Sequence, residues 1–234
     1  MSDQDGNSNF SSSKTSESEK ETQEHLTLQE RVFQQLRLDI MLGNIEPGKA
    51  ITIRGLAEDL GTSPMPVREA LRRLVAERAL ELLPNRRVTV PKMTPEKYRE
   101  LADARVAVES LAARRALPHM DDQVLGKLRE IDKEIDAAIA ANDVESYLSK
   151  NMEFHFTLYQ TGPSQIIMPL IESLWLQIGP FLKVAMKNKG LGTVEDQHHA
   201  AMSAIESNDS EGLSRAISLD ILDGVNRLPD EEFQ

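Results

Sequence analysis

The sequence predicts a mainly α protein: an N-terminal winged helix-turn-helix unit followed by a C-terminal all-α antiparallel helical bundle. Three observations lead there. Beyond residue 26, apolar residues recur at helical spacing, punctuated at short intervals by Gly, Pro and Asn. Aromatics make up only 4% of the chain, while the helix formers Leu, Ala, Glu and Arg are common. One stretch changes period from 3.6 to 2: "ALELLPNRRVTVP", residues 79–91, reads as two short strands around Pro84-Asn85-Arg86.

At 234 residues the chain has room for one large or two small domains. It has no cysteine, which excludes disulfides, thiolate metal sites and a cysteine nucleophile. It has no apolar run of about 18 residues and a polar start without an apolar signal core, so the expectation is a cytoplasmic protein with no membrane partner. The net charge of −11 is unevenly spread: −4 over residues 1–25, +3 over 26–92 and −10 over 93–234. A weakly basic module joined to a strongly acidic one implies division of labour. The expected boundaries are a disordered tail at 1–25, a weakly basic unit at 26–92, and an acidic helical domain at 93–230. The tail is Ser, Glu, Asn and Lys with almost nothing to bury.

Within the first unit, Leu28, Val32, Phe33, Leu36 and Ile40 form a helical stripe that Gly43-Asn44 stops. "IEPGKAIT" reads as a turn into a short extended piece. Thr52 caps a helix from about Ile53 to Leu60, ended by Gly61. Ser63 caps the next, with Pro64 at the first position, where a missing N–H costs nothing. Val67, Ala70, Leu71 and Leu74 are its buried stripe. Two short helices around a Gly-containing turn, with a third before them and a hairpin after, make a winged helix-turn-helix. Beyond Pro91 and Pro95, helices are expected near 95–116, 121–141, 143–161, 165–188, 193–207 and 209–227. Their short connections imply antiparallel neighbours.

Six arginines crowd the segment from Gly61 to Lys92. A recognition helix enters the major groove with its N-terminal residues near base edges, here Ser63, Met65, Pro66 and Arg68. Arg68 is placed to grip a guanine with two bonds. Arg72 and Arg73 fall further along and point to phosphate. Arg54 opens the preceding helix, and Arg86 and Arg87 sit on the wing. The partner implied is double-stranded DNA, and because one short recognition helix contributes too little affinity alone, a homodimer is expected. Taken singly, each arginine is equally well read as part of a solvated, ion-paired face.

The stretch "IEPGKAITIRGLAEDLGTSPMPVREALRRLVAERALELLPNRRVTV" resembles the DNA-binding unit of the GntR family of bacterial transcriptional regulators. That family's usual pattern is L-A-x-x-L-G-x-S-R-x-P-V-R-E-A-L-R-x-L, followed by a wing N-R-G. Pro66-Val67-Arg68-Glu69-Ala70-Leu71 keeps it. Pro64 stands where an arginine is usual, and Arg87 where a wing glycine is usual.

In the bundle, four polar side chains sit where the helical period calls for apolar ones. Asn151 and His155 share a face with Leu148, Met152, Leu158 and Tyr159. His198 shares one with Ala201, Met202 and Ile205, while His199 falls on the exposed side. Asp220 lies with Leu213, Ile217 and Gly224. Burying such groups unpaired costs about 2–7 kcal/mol each. Two imidazoles, a carboxylate and an amide oxygen suit a divalent ion of the Zn²⁺, Ni²⁺ or Mn²⁺ class, one per chain. A hydrogen-bonded polar cluster without metal satisfies the same pattern.

Residues from about 95 to 227 resemble the FadR-type ligand-binding (FCD) domain, through "ELADARVAVE", "NMEFHFTL" and "DQHHAAMSAIESND". The resemblance implies an ion held by an Asp and three His from three helices, at the positions of Asn151, His155, His198 and Asp220. Asn replaces the usual Asp, and Asp the last His. It also implies a small carboxylate effector anchored on that ion, with Arg105 facing the pocket. Arg105 lies beside the stripe Leu101, Ala104, Val108 and Leu111, and four residues from Glu109, so a surface ion pair is the alternative. Trp175, in "SLWLQIGPFL", reads as core.

The resulting expectation is a ligand-responsive transcriptional regulator rather than an enzyme. The rival is a metal-dependent hydrolytic enzyme with an accessory DNA-binding module, since two His and a carboxylate also describe hydrolytic zinc sites. No HExxH or comparable Glu-bearing motif accompanies these histidines.

Overall fold

The structure is a computed structural model and describes residues 26–84, 87–192, 194 and 196–228. The tail expected at 1–25 and the wing residues Asn85 and Arg86 lie outside the described residues. Among the described residues are nine α-helices and one two-stranded sheet, the expected mainly α architecture.

The first three helices are α1 (Leu28–Met41), α2 (Ile53–Asp59) and α3 (Pro64–Ala76). The Thr27 and Thr52 hydroxyls accept the backbone N–H of Glu30 and Gly55, satisfying one orphan donor in each first turn. Ser63 holds the capping position of α3, but its side chain makes no capping bond. Proline at N1 and N3 leaves the first turn fewer N–H groups to satisfy. Val67, Ala70, Leu71 and Leu74 are buried against α1, as the periodicity predicts. The wing pairs β1 (Glu81–Leu82) with β2 (Val88–Thr89) in antiparallel register, and Ile51 adds a bridge to Val88.

The bundle consists of α4 (Pro95–Ala116), α5 (Asp122–Ala141), α6 (Val144–Gln160), α7 (Ile167–Lys189), α8 (His198–Glu206) and α9 (Ser210–Asn226). The main pairings are α4 with α9, α5 with α6, and α8 with α9. Asp121, Asp143 and Asp209 cap α5, α6 and α9 with their carboxylates. Asn142 and Asn208 take left-handed backbone at the turns between helices.

Two expectations need correction. The helix expected at 193–207 begins only at His198, after the N-cap Gln197, and Asp196 accepts the His198 backbone N–H at 2.9 Å. On α4 the buried face is not Leu101, Ala104, Val108 and Leu111. It is Leu101, Ala102, Arg105, Glu109, Ala112, Ala113 and Ala116, and Leu111 is exposed. Small residues here let α9 approach closely, with the Ser110 hydroxyl 3.0 Å from that of Ser218. The face therefore carries charge in place of apolar bulk.

One hydrophobic core runs from Val32 in α1 to Leu228 after α9. The N-terminal unit meets the bundle where α1 packs on α7. A Cβ on Gly179 would run into the Met41 carbonyl, so only glycine permits this approach. Beside it the Lys183 ammonium reaches the Asn44 side-chain oxygen at 2.7 Å and Glu145 at 3.1 Å.

Candidate functional site

The arginines of the N-terminal unit divide into two groups. Arg68 is exposed on the first turns of α3 and makes no hydrogen bond or ion pair among the described residues. Met65 beside it is 62% exposed, and Ser63 is exposed at the helix start. Arg72 is exposed and held by Glu69 through Nε and Nη2 at 3.1 and 2.7 Å. Arg54 is exposed and pairs with Glu58 at 2.9 Å. Arg87 is exposed on the wing. Pro66, by contrast, is buried and turned into the unit, leaving it no surface to offer a base. Arg73 is also drawn inward. Its guanidinium lies 3.4 Å from the Phe33 ring centroid and pairs with Glu30 at 2.8 Å, tying α3 to α1. Its guanidinium is thus engaged within the fold while the side chain stays 39% exposed.

The four polar positions of the bundle come from three helices, as expected. Asn151 and His155 lie one turn apart on α6, His198 opens α8, and Asp220 sits on α9. The His155, His198 and Asp220 ligand atoms lie within 4.8 Å of one another. Asn151, Asp220 and Arg105 line a common cavity of about 20 Å³, room for roughly one water.

Hydrogen bonding around the two rings is one-sided. Tyr159 donates its O–H to Glu109 at 3.0 Å, so at 2.9 Å it accepts from His155 Nδ1–H. His198 Nδ1 lies 2.7 Å from an Asp196 oxygen and donates to it. These tautomers follow from the bonding pattern. Both rings then turn Nε2 toward one carboxylate: His155 Nε2 is 2.9 Å from Asp220 Oδ2, and His198 Nε2 is 4.0 Å from Oδ1. A neutral ring in that tautomer presents a lone pair, and a lone pair facing a carboxylate oxygen is repulsive. Positive charge is required between them, either protons on the rings or a cation. Burial alone would raise the Asp220 carboxyl, but the His198 and His155 rings and Arg105 outweigh it and hold it at about 2. Burial would lower the His198 ring; Asp220 and Asp196 outweigh that and raise it. Two further buried atoms at the site, His198 Nε2 and Asn151 Oδ1, have no hydrogen-bond partner among the described residues.

Arg105 lines that cavity and forms a buried ion pair, not a surface one. It is 3% exposed, bonds the fully buried Glu109 through Nε and Nη2 at 2.6 and 3.3 Å, and stacks 4.5 Å from the Trp175 ring centroid. Burial works against the charged guanidinium, but Glu109 overrides it and lifts its pKa above the ordinary value. Trp175 is core, as read, and also the platform beneath this cation. Glu109 was expected as the Arg105 partner, whereas Tyr159 and Asp196 carry no expected role in the site. Their signal was present: Tyr159 stands four residues after His155 on the same face, and Asp196 two residues before His198.

Residues 28–90 match the bacterial regulatory proteins of the gntR family, and residues 100–222 match the FCD domain. The HTH-type transcriptional regulator McbR of Escherichia coli (strain K12) is 29% identical over 197 residues, covering 83% of this chain and 89% of that protein. The solved structure of E. coli McbR/YncC superposes with a TM-score of 0.82 at 27% identity, covering 87% of this chain and 97% of that one. A putative transcriptional regulator GntR from Rhodococcus sp. RHA1 shares the fold, with a TM-score of 0.70 at 24% identity over 86% of this chain and 96% of that one.

Proposed function

The chain belongs to the gntR-family bacterial regulators that carry an FCD domain, and from that premise we propose a FadR-type repressor or activator whose operator affinity responds to a small carboxylate. Membership makes it a DNA-binding transcriptional regulator and removes the hydrolytic-enzyme alternative. The division of labour follows the charge: residues 26–92 bind DNA, 93–230 bind effector and dimerise. Arg68, Met65 and Ser63 meet base edges, while Arg54, Arg72 and the wing arginines Arg86 and Arg87 meet phosphate. A homodimer matches two-fold related half-sites, because one short recognition helix contributes too little affinity alone.

In the helical domain His155, His198 and Asp220, with Asn151 as the weakest ligand, would hold one divalent ion of the Zn²⁺, Ni²⁺ or Mn²⁺ class. The observation that carries this is the pair of Nε2 atoms converging on Asp220 while each Nδ1 is tied outward, to Tyr159 and to Asp196. A partner on the outer nitrogen is how proteins orient an imidazole ligand. When bound, the ion supplies a positive anchor for a carboxylate. Arg105, with Nη1 left uncommitted by Glu109, lines the same cavity as the second anchor. The cavity must widen for any effector larger than a few atoms, which gives binding a route to the rest of the bundle.

Elemental analysis of the purified full chain tests the site. One tightly held ion per chain is expected, lost in the His155→Ala/His198→Ala variant. Wild-type protein that holds no such ion after loading with Zn²⁺, Ni²⁺ or Mn²⁺ leaves a plain polar core.

A further inference from the structure

A second group of metal-type ligands stands outside the buried site. Asp132 on α5, Asp196 before α8 and His199 on α8 bring ligand atoms within 4.8 Å of one another. His199 Nε2 lies 3.6 Å from Asp132 Oδ2 and 3.3 Å from Asp136 Oδ2, and its Nδ1 lies 3.8 Å from Asp196 Oδ2. We propose that Asp132, Asp196 and His199, flanked by Asp136, form a second divalent-cation site at the surface.

An ordinary solvated cluster does not account for two of these groups. The Asp132 side chain is 13% exposed, its Oδ1 is shut off from solvent, and among the described residues it makes no hydrogen bond. Asp196 Oδ2 is likewise buried without a hydrogen bond among the described residues, although Oδ1 is engaged by His198. His199 cannot satisfy them all. An imidazolium has two N–H groups; one meets Asp136 at 3.3 Å, and the other is too far from Asp196 for a hydrogen bond. Three carboxylates therefore face one ring, with two buried oxygens left over. A divalent cation offsets the charge and gives Asp196 Oδ2, the orphaned oxygen that faces the ring, a partner. Carboxylate oxygens with one imidazole suit Mn²⁺, with water completing the coordination.

Asp196 gives the site a consequence. One oxygen orients the His198 ring while the other faces the outer cluster, so an outer ion fixes the carboxylate that positions a buried ligand. The outer ion also joins α5 to the segment leading into α8. The outer site stands without the buried one, because neither Asp132 nor His199 is a ligand there.

Mn²⁺ titration of chelator-stripped full chain, followed by the electron paramagnetic resonance signal of free Mn²⁺, counts both ions. Two per chain are expected. His199→Gln, at a side chain 61% exposed and therefore harmless to folding, removes the outer ion or weakens it at least tenfold and leaves the inner one. Asp132→Asn does the same, with melting temperature showing that the fold is kept. His155→Ala touches no member of the outer cluster and removes only the inner ion. The proposal is overturned if His199→Gln and Asp132→Asn bind both ions as wild type does. It is also overturned if wild type binds a single ion that His155→Ala abolishes. A single ion lost in His199→Gln but kept in His155→Ala supports the outer site and overturns the buried one.

Discussion

His155 Nε2 and Asp220 Oδ2 face each other at 2.9 Å across α6 and α9, although the other nitrogen of the same ring is already held by Tyr159. The tyrosine is what denies Asp220 a simple N–H donor. Tyr159→Phe frees Nδ1, and the neutral ring can then carry its proton on Nε2 and bond Asp220 directly. The expected outcome is a metal affinity about 10–100-fold weaker. A competition titration with a chromophoric chelator measures it, and unchanged affinity would remove Tyr159 from the site.

The Arg105–Glu109 pair is buried on both sides, at 3% and 0% side-chain exposure. Removing one partner strands a charge. Arg105→Ala is expected to cost about 3–5 kcal/mol of stability, and Arg105→Ala/Glu109→Ala markedly less than the sum of the two single changes. Urea denaturation of the four proteins closes the cycle. Additive effects would mean that the pair is not coupled.

On DNA, Arg68→Ala is expected to lower affinity by about 1–3 kcal/mol and relax selection at one position per half-site. Arg72→Ala weakens all sequences alike and reduces the slope of log affinity against log salt by about one. Selection of binding sites from a random pool, followed by salt titration, separates the two. Unchanged selection in Arg68→Ala moves base reading to Ser63, Met65 or the wing.

Arg73 behaves differently. Its stacking on Phe33 and its pairing with Glu30 hold α1 to α3. Arg73→Ala is expected to destabilise the protein by about 1–2 kcal/mol, the pair being partly exposed and screened. The selected sequence should stay the same. Thermal unfolding reads the first effect, and the random-pool selection reads the second. A stable variant with lost DNA affinity would return Arg73 to the interface.

Most helices were legible because each carries its own period and its own stop. α4 was read to its ends from Pro95 and the Leu117–Pro118 break. α8 starts five residues later than its periodicity predicts, where Asp196 accepts the His198 N–H through a local bond that no periodicity reports. The buried face of α4 was misassigned for a related reason. A face filled by an ion pair and alanines has no strong apolar signature, and α9 selects it by close approach. Asn151, His155, His198 and Asp220 were found because polar residues interrupt apolar faces. Tyr159 and Asp196 stand at a suggestive spacing from His155 and His198, but the bonds they make to those rings form only once the chain is folded.

The central claim is that a carboxylate acting at the His155–His198–Asp220 site changes how tightly the N-terminal unit holds DNA. Fluorescence anisotropy with a labelled duplex obtained by random-pool selection tests it most directly, using metal-loaded and chelator-stripped full chain with a panel of small mono- and dicarboxylates. At least one carboxylate should shift the operator dissociation constant of the loaded protein by about 5–150-fold, corresponding to a coupling of about 1–3 kcal/mol. The same compound should have no effect on stripped protein or on His155→Ala/His198→Ala. A carboxylate that shifts DNA binding equally with the site loaded, stripped or mutated would contradict the account.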